Sequence, residues 1–299
     1  MIERFDDVHR GKGYALDFGV QYINEQGANP CVIILDADCE IERSALEHLA
    51  ARCKLEQRPI QALYLMRISK TASIKQRIAG FAWLVKNKLR PKVMEVLGLP
   101  VTLTGTGMAL PFFLLKQLNF GHGNIVEDMQ LGIDCTLSGA APKFCEKAVV
   151  YSDFPEQEEA EKTQRTRWEH GHLMTISQQV PMLCKQAILR KDWRLLALAL
   201  DIGVPPLSLL VLTSVAMLTL LAIYAYAMDS YASFSWLLVS FLFFSMILMT
   251  TWWKSGQDYL TIKELSSIPH YVFSKITVYI SFVFNRQKSW VKTSRDNKK

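Results

Sequence analysis

The 299-residue chain carries 34 Lys and Arg against 28 Asp and Glu, a formal net charge of +6, and half of its residues are hydrophobic. So mild a balance argues against nucleic-acid binding, because the cations gather beside apolar segments and in the tail (Arg286, Lys288, Lys292, Arg295, Lys298, Lys299), where an anionic membrane surface is the natural partner. Cys31, Cys39, Cys53, Cys135, Cys145 and Cys184 form no CxxC pair and lack the dense spacing of a disulfide scaffold, so they read as reduced, mostly buried thiols of a cytosolic body.

The polar opening MIERFDDVHRGKG has no apolar core, and no signal peptide is expected. Lys12 to Gln26 sets Leu16, Val20 and Ile23 on one helical face. Val32 to Leu35 is a continuous apolar run of the kind buried in a parallel sheet covered on both sides, and it ends at Asp36 and Asp38. Ligands bind beyond the carboxyl ends of such strands. Two carboxylates one residue apart can reach one hydrated divalent cation, and a solvated turn is the alternative. Ser44 and Glu47 then read as a capping box opening a helix with Leu46, Leu49, Ala50 and Cys53 in register. Alternation of helix and buried strand makes the first 190 residues an α/β domain with a mostly parallel sheet.

Gln61 to Ile68 is the next predicted strand. Thr71 to Arg90 is a predicted helix, stopped by Pro91, whose basic side (Lys75, Arg77, Lys86, Lys88, Arg90) suits a bilayer surface or a solvated face alike. The small-residue run Thr102 to Pro111 reads as a turn admitting close backbone approach, or as a plain loop. Glu127 and Asp128 follow Ile125-Val126 and open a helix closed by Gly139; a carboxylate there is either a poised proton acceptor or simple helix-start chemistry. Gln164, Arg167 and Trp168 fall at i, i+3 and i+4, so an amide, a guanidinium and an indole share a helix face suited to a sugar phosphate, with a core tryptophan as the alternative. His170 and His172 turn to different sides and have no third ligand in register, which makes metal binding there the minor reading.

From Leu195 to Met228 the chain is apolar apart from Asp201, and the part after Pro206 alone is long enough for the roughly 30 Å hydrocarbon core. Asp229-Ser230 breaks it, and Tyr231 to Trp253 runs without a charge. The sequence therefore predicts an antiparallel transmembrane hairpin, about residues 204–228 and 231–253. Arg190, Lys191 and Arg194 precede it and Lys254 and Lys263 follow, so both ends are expected on the cytoplasmic side. Ile268 to Phe284 is shorter and contains Lys275, which reads as an interfacial or re-entrant helix before the basic tail. The expected division is residues 1–190 and a membrane region, 191–299.

Taken in order, Asp36-Ala37-Asp38, Glu127-Asp128, Gln164-x-x-Arg167-Trp168 and the hairpin resemble the membrane-bound family 2 glycosyltransferases of the cellulose-synthase-like and hyaluronan-synthase-like type. GKGYALDFG, Gly11 to Gly19, and WVKTSR around Trp290 add to the likeness. The resemblance implies a GT-A-like nucleotide-diphospho-sugar transferase fold and inverting transfer from a nucleotide diphosphate sugar, UDP-linked, to a saccharide or lipid-linked acceptor in cell-surface polysaccharide synthesis. It implies that Asp38 holds Mg²⁺ or Mn²⁺ on the donor diphosphate, with Asp36 and Lys12 seating the donor, and that Asp128 is the general base. Glu127, Gln164, Arg167 and Trp168 would line the acceptor and diphosphate site, beside the loop Gly105, Thr106, Gly107. It places the protein in a bacterial inner (plasma) membrane with its catalytic domain in the cytosol, in company with export or polymerisation subunits. Members usually carry a further βαβ unit ahead of the acidic pair, and its absence before Asp36 predicts a half-built nucleotide pocket. Two rival readings follow: an inactive membrane-anchored fragment or accessory subunit, and a haloacid-dehalogenase-like phosphatase with Asp36 as nucleophile, against which Glu40 departs from the D-x-D-x-Thr/Val pattern.

Overall fold

Lys12–Glu25 forms helix α1, which lays Leu16, Val20 and Ile23 against a core cluster built on Leu103, Met108, Leu110, Leu131 and Cys135. The computed structural model describes residues 2–6, 11–27, 30–118, 127–155 and 157–284. The basic tail, the segment around Trp290 and Ile125-Val126 lie outside the described residues.

Strands β1 (Cys31–Ile34), β2 (Glu40–Ile41), β3 (Ile60–Arg67), β4 (Met108–Pro111) and β5 (Lys143–Asp153) make one sheet in the order β1-β4-β3-β5-β2. It is mixed, which corrects the expectation of a mostly parallel sheet: β3 and β5 pair in parallel, while the β1/β4, β4/β3 and β2/β5 pairs are antiparallel. Apolar runs report burial and say nothing of direction. β3, buried at its first five residues, is the central strand, and the run Val32 to Leu35 supplies an edge strand whose residues are mostly half-buried. Helix α2 (Ala45–Glu56) covers one face through Ala45, Leu49 and Cys53. Along β4, Ala109 joins that face while Met108 and Leu110 join the other, the alternation a strand imposes.

Two local expectations fail for identifiable reasons. Ser44 has helical backbone angles (φ −81°, ψ −12°) and its side chain caps nothing, because an N-cap hydroxyl accepts from an extended backbone. The capping box forms instead at Ser73 and Gln76, where Ser73 is extended (ψ 158°), and opens helix α3, Ile74–Leu84. Nor does Pro91 stop the helix. Val85–Leu89 widens into a π-turn, so Arg90 donates to Val85 O and Pro91 falls in the first turn of helix α4 (Arg90–Val96), where its missing N–H is tolerated. The basic side of this helix turns largely onto the chain itself: Arg90 pairs with Asp201 (2.8 Å), Lys88 donates to Ser255 Oγ (3.5 Å), and Arg77 lies 3.7 Å from Glu264.

After the short helix α5 (Phe112–Leu115), helix α6 (Glu127–Leu137) packs Met129 and Ile133 against Leu183 and Ala187 of the 33-residue helix α7 (Glu158–Arg190) and Leu195, Leu198 and Ile202 of helix α8 (Trp193–Gly203). Helices α9 (Leu207–Met228) and α10 (Ala232–Thr251, prolonged by a π-turn to Gly256) are long and apolar enough to cross a membrane. α10 buries none of its residues and α9 only Ala225. Their feet join the domain, since Val211, Leu212, Leu248 and Trp252 pack on a cluster of Ile78, Phe81, Leu84, Tyr259, Leu260 and Tyr271. Gly256 makes that approach possible, because a Cβ there would lie 2.7 Å from the Phe81 ring.

The expected interfacial helix is two pieces, α11 (Ile268–Ser274) and α12 (Ile276–Phe284), with Lys275 between them turned inward to Glu169 at 2.7 Å. Both histidines of α7 are buried against backbone: His170 Nε2 is 3.1 Å from Val278 O, and His172 Nε2 is 3.1 Å from Ile202 O.

Candidate active site

β1 ends beside the start of its antiparallel neighbour β4, so the chain leaving β1 meets the loop entering β4. Lys12, the first residue of α1, donates from Nζ to Asp36 Oδ1 (2.5 Å) and to Gly105 O (2.5 Å). The Asp36 N–H donates to Thr106 Oγ1 (3.0 Å), and Thr106 is fully buried. Gly105 and Gly107 both take positive φ, 87° and 63°. A Cβ on Gly107 would lie 2.9 Å from Ala62 Cβ and 2.8 Å from Val150 Cγ2, so the backbone approaches the sheet only as glycine. A Cβ on Gly105 would lie 3.2 Å from Asp128 Oδ2 and 3.4 Å from Lys12 Nζ. One loop therefore touches both the first acid of the D-x-D stretch and Asp128.

Ligand atoms of Asp36, Asp38 and Cys39 lie within 4.8 Å of one another. Two carboxylates so placed fit a hard divalent cation such as Mg²⁺ or Mn²⁺, which takes one or two protein carboxylates and fills its shell with water and phosphate oxygens. Lys12 already occupies one oxygen of Asp36, and Asp38 is the more exposed of the two.

Glu127 and Asp128 open α6, and Asp128 Oδ1 accepts from the Met129 N–H (2.9 Å). Burial pushes the Asp128 carboxyl above its ordinary value, while Lys12, the Met129 N–H and Lys86 pull it back part of the way. Glu127 is pushed up to about 7, by burial and then by the charge of Asp128. Burial draws Arg167 down, and Glu127 opposes that. The acids thus share one cationic neighbour and differ in the others: Lys12 acts on both, Lys86 on Asp128, and Arg167 is paired electrostatically with Glu127.

On α7, Trp168 packs against Trp83 of α3 with ring centroids 5.0 Å apart and planes tilted by 39°, and Trp83 donates from Nε1 to Tyr64 O (3.1 Å). One face of Trp168 is thereby committed to packing. Gln164 keeps a buried Oε1, and Thr104 in the loop a buried Oγ1, each without a hydrogen-bond partner among the described residues. Lys86 and Trp83 were missed by motif reasoning. Lys86 belongs by spacing to a basic stripe, yet it lies over the Trp83 ring at 5.7 Å, lines a cleft with Met129 and His172, and has its pKa lowered by burial. The π-turn at Val85–Leu89 contains Lys86, and no residue pattern announces such a turn.

The sequence profile of Glycosyl transferase family group 2 matches residues 31–263, which takes in both acidic motifs, the α7 face and both long apolar helices. No curated protein matches the chain.

Proposed function

The chain belongs to glycosyl transferase family group 2 and is a glycosyltransferase; from that premise we propose that it moves a sugar, with inversion, from a UDP-sugar to a saccharide or lipid-linked acceptor in cell-surface or exported polysaccharide synthesis. The observation that carries the reading is the loop at Gly105, whose carbonyl holds the lysine that pairs with Asp36 and whose Cα packs against Asp128. The same loop thus binds the lysine that pairs with Asp36 and lies beside the carboxylate of Asp128.

In this reading Asp38, assisted by Asp36, would hold Mg²⁺ or Mn²⁺. When bound, the cation neutralises charge on the departing diphosphate. Lys12 keeps Asp36 in place, and Arg167 offers its guanidinium to a phosphate oxygen. Asp128 takes the proton of the acceptor hydroxyl, that oxygen bonds to the anomeric carbon, and the carbon–oxygen bond to the nucleoside diphosphate breaks with its electron pair. Gln164 and the open side of Trp168 receive the acceptor, the buried Gln164 Oε1 accepting from one of its hydroxyls.

The uncovered surfaces of α9 and α10 and the clustering of Arg190, Lys191, Arg194, Lys254 and Lys263 at the two feet support a hairpin crossing the plasma membrane from the cytosolic side, where sugar nucleotides are made. Export or polymerisation subunits would then meet the product at the bilayer. The test is transfer of radiolabelled sugar from UDP-sugars in membranes carrying the protein. Asp128→Asn is expected to lower transfer by roughly 1,000-fold, within the range a positioned base contributes. Equal transfer by both proteins removes Asp128 from the role of base.

A further inference from the structure

Gln61 sits on β3 at 2% exposure, an amide in the centre of a hydrophobic sheet. Such a group persists only if its hydrogen bonds are made. Its Oε1 accepts from the Thr104 N–H (2.9 Å), and its Nε2 donates to Thr106 O (3.0 Å) and to Ala62 O (3.0 Å). Below it β3 pairs with β4 at Gln61 and Met108, and the Ala62 N–H donates to Gly107 O (2.8 Å). The side chain therefore continues the ladder beyond its last backbone pair, into the loop.

That loop is soft by composition, with glycines at positive φ at 105 and 107, and among the described residues it has no regular partner strand to hold it. Its outer side meets the site: Thr106 Oγ1 takes the Asp36 N–H, Gly105 O takes Lys12, and Gly105 packs on Asp128. We infer that Gln61 is a positioning residue, whose amide fastens Thr104–Thr106 in the conformation that keeps Asp36 on the donor side and Asp128 on the acceptor side in register. This rests on the transferase reading above. Only an amide suits the place, since one end of it must accept from Thr104 while the other donates to Thr106.

The experiment uses the full chain in detergent or nanodiscs and compares wild type with Gln61→Met, Thr106→Val and the double variant. Thermal unfolding, Mn²⁺ affinity in the presence of UDP by electron paramagnetic resonance, and kcat with donor KM are measured on each. Both single variants are expected to bind Mn²⁺ with UDP roughly tenfold more weakly, a loss on the scale of one buried hydrogen bond. The double variant should be no weaker than the weaker single, because both act through the same chain of contacts. In Gln61→Met, kcat should also fall by roughly 100-fold, the effect of a small misplacement of reacting groups. A merely structural glutamine would lower the unfolding temperature and leave affinity and kcat of the folded protein unchanged, and that result overturns the inference. If Gln61→Met does not fold, Thr106→Val leaves the amide's bonds intact and decides the question: wild-type Mn²⁺ affinity in it breaks the link from loop to Asp36. Wild-type protein that binds no Mn²⁺ with UDP overturns the donor-site reading as well, whereas binding by wild type and variants alike overturns the role of Gln61 alone.

Discussion

As the proposed base, Asp128 meets two opposed demands, because a proton acceptor must be ionised to work and burial favours its neutral form. Lys12 and Lys86 resolve the conflict in part, and the charge of Asp128 helps to push its neighbour Glu127 up to about 7. A base with a raised pKa is lost as pH falls, so the acid limb of kcat/KM is expected above the ordinary aspartate value of about 4. Glu127→Gln leaves the burial of Asp128 and both lysines in place, so the acid limb should stay where it is. A pH–rate profile that stays in place in that variant separates the two acids. Gly105 is the other sensitive position. Gly105→Ala is expected to cost about 1–2 kcal/mol for a side chain at positive φ. Its Cβ would also press on Asp128 and Lys12, so transfer should drop by roughly 100-fold, well beyond what the modest change in thermal unfolding explains.

Among the elements, α7 does two things on neighbouring strips of one helix. Gln164, Arg167 and Trp168 form one strip; Glu161, Arg165 and Glu169 form the next and tie it to α11 and α12. Arg165 pairs with Glu161 (2.7 Å) and hydrogen-bonds to the Tyr271 hydroxyl, and Lys275 balances Glu169, with side chains 10% and 15% exposed. Removing one member of a buried pair strands the other. Lys275→Met is therefore expected to destabilise the protein by about 3 kcal/mol, and Lys275→Met with Glu169→Gln to recover most of that, read by thermal unfolding in detergent. Much of this was legible beforehand: the period of α1, the end of β1 at the acids, the shared face on α7 and the two long apolar helices all follow from local spacing. The partners were not. That Lys275 interrupts an apolar segment in order to meet Glu169, 106 residues away, or that Arg90 meets Asp201, depends on how helices cross, and no local period carries that information. Strand β4 was hidden for the same reason: Met108–Pro111 ends a small-residue run that reads as a turn or loop, and only pairing with β1 and β3 makes it a strand.

At the scale of the whole molecule, the hairpin is continuous with the domain and is no detachable tail. Tyr259, Leu260, Tyr271 and Val272 share a core with Ile78, Phe81, Leu84 and Val85, and α9 and α10 contribute their feet to it. Beyond the feet the surface is open and apolar, with Trp236 at 77% and Phe243 at 59% exposure, and a bilayer is the solvent that suits it. Orientation then follows from charge. Cations stand at both feet and none at Asp229-Ser230, so the turn is expected outside and the site inside. A cysteine introduced as Ser230→Cys should react with a membrane-impermeant maleimide in intact cells, and Lys263→Cys only after permeabilisation, with the six native thiols silent from outside. The reverse pattern would put Asp36 and Asp128 on the side where no sugar nucleotide is made, and the donor assignment would fall with the topology.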